Sequence, residues 1–82
     1  FAGYAELVAA EHHRRRGHAE PALGAYARGI EQFERSLALA PDTKASCDHF
    51  VAMALGGRAR VHFENDALAA AVADLLAAFA RC

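Results

Sequence analysis

The chain has 82 residues, enough for one small domain or a piece of a larger one. Nine Lys and Arg against ten Asp and Glu leave a formal net charge of −1. That balance speaks against a nucleic-acid partner, which calls for a clear basic excess, and gives no attraction to anionic lipid. Hydrophobic residues make up 55%, but Ala, the best helix former, supplies much of this, so the composition leans all-α with a modest set of bulky core formers.

The first predicted helix runs from about Ala2 to Arg16. Arg14, Arg15 and Arg16 fill its last turn, where cations favour the helix dipole, and Gly17 suits the left-handed position just beyond the end. The second follows at once. Pro21 fits a first helical turn. Leu23, Tyr26, Ile30, Phe33 and Leu37 then recur at alternating spacings of three and four, which is one helix face, until Pro41 ends it.

Asp42 or Thr43 is expected to cap the third helix. Its stripe is Cys47, Phe50, Ala54, Gly57 and Val61, with Val51 and Leu55 beside it. Gly56-Gly57 is costly inside a helix, and residues 58–63 alternate as a strand would, so a break there competes with the continuous helix. A lone strand would have no partner, which favours the helix. Asn65 is expected to close it in the left-handed region and Asp66 to cap the next. The fourth helix carries Leu68, Val72, Leu75, Phe79 and Cys82 on one face and is apolar nearly all round, with only Asp74 and Arg81 charged. Part of that stripe is expected to pack on the third helix.

Four helices with short connections predict an all-α bundle of antiparallel neighbours. No run reaches the roughly 18 apolar residues of a membrane span, since Asp74 interrupts the Ala-rich stretch. Cys47 and Cys82 form no C-x-x-C pair or disulfide framework, so a reduced, cytoplasmic setting is the default. A start without Met or leader pattern, and an end where a stripe is still running, read as cuts from a longer chain.

The turns carry a family resemblance. Ala10, Gly17, Ala22-Leu23, Tyr26 and Gly29-Ile30 resemble the small-residue and turn positions of a tetratricopeptide repeat, and Ala59, Asp66, Ala71-Val72, Leu75 and Ala78-Phe79 resemble a second. The two turns lie 49 positions apart, 15 more than the usual period of about 34, which two extra turns on each central helix would supply. A rival register sets Pro41 on the motif but leaves Pro21 inside a helix with no room for a turn. The aromatic residue usual early in the first helix is replaced by Glu6 and Leu55. The resemblance implies two helix-turn-helix repeats with elongated central helices over residues 1–82, as a domain or as part of a longer array. Phe33-Glu34-Arg35-Ser36-Leu37-Ala38 before Pro41 is also similar to helical regions that trail some bacterial serine/threonine kinases. The kinase phosphate loop and catalytic motifs are themselves missing from this sequence.

Carried over position by position, the family's peptide groove falls on Tyr4, Leu7, Glu11 and Arg14 in the first repeat and on Met53, Arg60 and Phe63 in the second. Glu11 and Arg60 stand where carboxylate-clamping members carry Asn, so a terminal carboxylate ligand is not implied. These side chains read equally well as a solvated face.

Chemistry is weakly signalled. Cys47-Asp48-His49 cannot converge, because adjacent helical residues point about 100° apart, and Cys47 falls on the apolar stripe. None of the five histidines pairs with another at i,i+4, so no metal or cofactor is expected. His12 to Arg16 reads as a dipole-favoured helix end. Two functions therefore stand: a non-catalytic scaffold that binds protein or peptide, and a self-associating bundle. In both, Leu76 and Phe79 on the fourth helix are expected to meet a partner.

Overall fold

A computed structural model describes residues 2–81 as four α-helices, with no strand among the described residues. They are α1 (Ala2–Arg15), α2 (Ala19–Leu39), α3 (Lys44–Glu64) and α4 (Leu68–Arg81), with a 3₁₀ turn at Pro41–Thr43 between α2 and α3. The all-α reading stands. Cys82, assigned above to the stripe of α4, lies outside the described residues.

Each helix packs chiefly on its sequence neighbour: α1 on α2, α2 on α3, α3 on α4, with a lesser contact of α1 with α3. The resulting slab measures 37 × 23 × 13 Å. Gly17 ends α1 at φ 76°, as its position implies. The next hairpin divides the work differently from the sequence reading. Asp66, not Asn65, takes the left-handed conformation (φ 62°), while Asn65 turns its side-chain amide back to donate to the Val61 carbonyl at 2.8 Å. Thr43 occupies the N-cap of α3 without capping it; its hydroxyl donates instead to the Ala40 carbonyl at 2.6 Å. Pro41 has already bent the chain there into a 3₁₀ turn, which brings that carbonyl within reach.

The core lies along both sides of α2. One cluster joins Leu7 and Ala10 of α1, Ala22, Ala25 and Tyr26 of α2, and Ala54 and Val61 of α3. A second joins Phe33 of α2 to Cys47, Val51 and Leu55 of α3, with Phe50 stacked on Phe33 at a centroid distance of 5.2 Å. The expected stripes of α2 and α3 therefore face one another. Helix α3 runs unbroken through Gly56-Gly57. The alternation at 58–63 arises because α3 serves α2 and α4 on different sides, burying Ala59 and Val61 while exposing Arg60 and Phe63.

The two glycines have opposite surroundings. A Cβ at Gly57 would stand 2.5 Å from the buried Tyr26 ring, whereas one at Gly56 would meet nothing within 4 Å. Gly29 sits where α1 crosses α2, and a Cβ there would lie 3.3 Å from the Gly3 carbonyl oxygen.

Gly56→Ala is expected to stabilise by about 0.5–1 kcal/mol through helix propensity. Gly57→Ala should destabilise by about 1–3 kcal/mol despite the same gain, because the tyrosine ring cannot give way without leaving its hydrogen bond. Urea midpoints of the two single variants check the pair; equal shifts would contradict this packing. A second test is Gly29→Leu, expected to cost about 1–3 kcal/mol, with Gly29→Ala close to neutral.

Candidate functional site

The α4 stripe, expected to pack in part on α3, is turned outward along its whole length, and Leu76 and Phe79, expected to face a partner, are exposed with it. Leu68, Val72, Leu75, Leu76 and Phe79 all point to solvent, with Leu75 43%, Leu76 64% and Phe79 71% exposed. The inward face is small and polar: Ala71 and Asp74 are buried, and Ala78 packs against the Phe33 cluster. Small side chains let the α4 backbone approach α3 closely, which a row of Leu and Phe would prevent. What fixes the rotation of the helix is charge. Asp74, 8% exposed, accepts two hydrogen bonds from Arg58 of α3, both 2.9 Å, with His62 Nε2 3.7 Å away. This planar two-point match is the geometry guanidinium and carboxylate favour. It holds the Arg58 pKa above its ordinary value through the Asp74 hydrogen bonds, against the effect of burial. At the far end, Arg81 reaches Asp48 of α3 at 3.0 Å and also pairs with Glu34 of α2. Both bridges join residues at least 16 positions apart, and no local sequence signal marks them.

Between α3 and α4 lies an open, largely apolar groove of about 460 Å³. Gly56, Ala59, Arg60 and Phe63 line it from α3, and Leu68, Ala71, Val72 and Leu75 from α4. Of the expected groove residues, Arg60 and Phe63 belong here. Leu76 and Phe79 extend the apolar surface along α4 on its exposed side.

The remaining expected residues gather elsewhere. Tyr4, Leu7, Glu11 and Met53 line a separate hollow of about 390 Å³ with Val8, His12 and Arg15. Leu7 is 4% exposed and is a core residue rather than a contact surface. Arg14 lines neither the α3–α4 groove nor this hollow, but its Nη2 donates to Glu11 at 2.8 Å. The Tyr26 hydroxyl, from beneath, also donates to Glu11. The hydrogen bond from Arg14 holds the Glu11 carboxyl below the usual carboxylate range, with burial opposing and Tyr26 assisting. Burial, then the bond to Glu11, pushes the Tyr26 phenol up. Of the positions assigned to the groove, Tyr4, Leu7, Glu11 and Met53 thus share one hollow and Arg60 and Phe63 another.

The Cys47-Asp48-His49 side chains diverge. Cys47 is buried with Sγ 3.4 Å from the Thr43 hydroxyl, Asp48 pairs with Lys44 and Arg81, and His49 packs edge-on against Phe50. Among the described residues no three His, Cys, Asp or Glu side chains gather at metal-binding distance, and no helix is long and apolar enough to cross a membrane. No protein-family model, curated protein or solved structure matches the chain.

The Glu11–Tyr26 pair sets a pH profile. The lowered carboxyl contributes stability that is full above the unfolded carboxylate pKa, near 4.3, and is lost as pH falls through the folded value. The raised phenol contributes stability that is full below its ordinary pKa of about 10 and is lost as pH rises towards its folded value. Melting temperature should therefore fall at both extremes. Glu11→Gln is expected to flatten part of the acid limb and Tyr26→Phe the alkaline limb, as read by thermal melts across pH.

Proposed function

We propose that this chain is a non-catalytic protein-interaction module of the helical-repeat kind, similar to tetratricopeptide repeats, with the outer face of α4 as its docking surface. The observation that carries the reading is the orientation of α4. A helix with five large apolar residues on one side turns that side outward and holds itself by an ion pair. Burying one Leu or Phe is worth roughly 1.5–3 kcal/mol relative to exposure, and monomers seldom leave such residues contiguous on the surface. A protein or peptide partner recovers that energy. The near-neutral charge gives no basis for nucleic acid, and the buried free thiol of Cys47 suits the reducing cytoplasm. Self-association is the second reading, favoured by the lack of any charged side chain among Leu68, Val72, Leu75, Leu76 and Phe79, which lets the face match itself.

The test places a photo-crosslinking residue at position 76 and, as control, at position 27 on the exposed side of α2, in the full chain in its native cells. A discrete crosslinked protein is expected from position 76 alone, and it should vanish when Phe79→Lys is introduced beside the probe. Leu76→Glu with Phe79→Lys should keep its helical signal and melt within about 4 °C of the wild type, as exposed substitutions do. Crosslinks joining two copies would select self-association. No crosslink, or collapse of the double variant, would defeat the docking surface.

A further inference from the structure

Helix α4 carries two stripes at helical spacing. Ala71, Asp74 and Ala78 form the inward one, turned to the body of the fold. Ala69, Val72, Leu76 and Phe79 form the outward one, at spacings of three, four and three, and all four are exposed. That spacing is the seam along which two helices pair side by side. The flanks of the seam differ. Leu68 and Leu75 border it on the side of the α3–α4 groove, and Ala73 and Ala80 border it on the other.

Both charged side chains of α4 are turned inward and neutralised there, Asp74 by Arg58 and Arg81 by Asp48 and Glu34. The outward stripe therefore offers no charge for an unlike partner to recognise, and charge is a main source of specificity between unlike surfaces. What remains is shape, and this shape complements itself. The stripe is symmetric about the level of Asp74: Ala69 and Phe79 lie five positions to either side, Val72 and Leu76 two. In an antiparallel pair such positions share a layer, so the smallest side chain faces the largest. A parallel pair would set Phe79 on Phe79 and Ala69 on Ala69, leaving a bulge at one end and a gap at the other.

We propose that α4 pairs with α4 of a second copy of this chain, antiparallel about a two-fold axis at the level of Asp74, with Phe79 of each copy over Ala69 of the other and Val72 against Leu76. This rests on the reading of α4 as a docking surface and names what occupies it. The flanks also match, since the two-fold sets Leu75 beside Leu75 and Ala73 beside Ala73. The area suffices. The exposed parts of Leu68, Val72, Leu75, Leu76 and Phe79 amount to roughly 500 Å² in each copy, so the pair covers about 1,000 Å², the lower bound of a specific interface, before the alanines are counted. A net charge of −1 on each copy opposes their approach only weakly.

The test is sedimentation equilibrium of the full chain under reductant, where a monomer–dimer equilibrium in the micromolar range is expected. Ala69→Phe sets two large rings in one layer and should weaken the dimer at least tenfold, although it adds apolar surface. Phe79→Ala empties the same layer and should weaken it as much. The two together restore large against small, and affinity should return to within threefold of the wild type. Circular dichroism checks that each variant keeps its helix. Orientation is read from an oxidised mixture of Val72→Cys and Leu76→Cys chains, both carrying Cys82→Ser: the mixed disulfide should exceed either self-disulfide. The proposal is overturned by a monomer at millimolar concentration, by an Ala69→Phe dimer as tight as the wild type, or by a double variant no tighter than the weaker single one. Self-disulfides of the Leu76→Cys chain in excess of the mixed species, or loss of helix in either single variant, overturn it as well. If the chain stays monomeric while the position-76 crosslink to another protein persists, the docking surface stands and only the second copy falls; if neither forms, both readings fall.

Discussion

Tyr26 ties three helices together. Its ring is fully buried on α2, its edge lies where α3 has no side chain at Gly57, and its hydroxyl donates to Glu11 of α1. A buried phenol without an acceptor would cost more than its area returns, so the position of Glu11 is part of the fold and not decoration of the surface. Arg14, one turn further along α1, holds that carboxylate from the other side. With the ring fixed, α3 can approach α2 only at a glycine. The register set there carries Phe50 onto Phe33 and Cys47, Val51 and Leu55 into the second cluster.

Much of this was legible in the sequence. The stripes of α2 and α3 are spaced three and four apart with few competing apolar positions, so the faces that meet were readable, and Gly17 and Pro41 bounded them. The capping residues were less so. Asn and Asp both tolerate the left-handed conformation; the pattern favoured Asn65 there, but Asn65 bonds back to Val61 and Asp66 takes the turn. Thr43, expected to accept from a backbone N–H of α3, instead donates its hydroxyl to the Ala40 carbonyl.

Helix α4 defeated the pattern for a physical reason. When nearly every position is apolar, periodicity carries no direction, and the pattern could not say how much of the bulky side packs on α3. Here Phe33, Val51 and Leu55 already form a cluster of their own, against which α4 packs only Ala78. The single buried acid then chooses the rotation, because leaving Asp74 outside would strand Arg58 at the helix junction. Of the positions suggested as a binding face, Arg60, Phe63, Leu76 and Phe79 lie on the α4 side of the slab, while Tyr4, Glu11 and Met53 share another hollow and Leu7 serves the core.

The thin attachment of α4 has a dynamic consequence. Its backbone neighbours α3 alone, and it buries little more than Ala71 and Asp74, while α2 is clasped from two sides. Opening α4 therefore exposes little apolar surface and breaks its contacts with one helix together with the Arg58 and Arg81 ion pairs, so the helix forms a cooperative unit of its own that opens before the core around Tyr26. Its amides should exchange with solvent through this partial opening long before those flanking Tyr26. A molecule that clamps α4 would then act as a ratchet on the end of the chain, slowing exchange there without altering the rest.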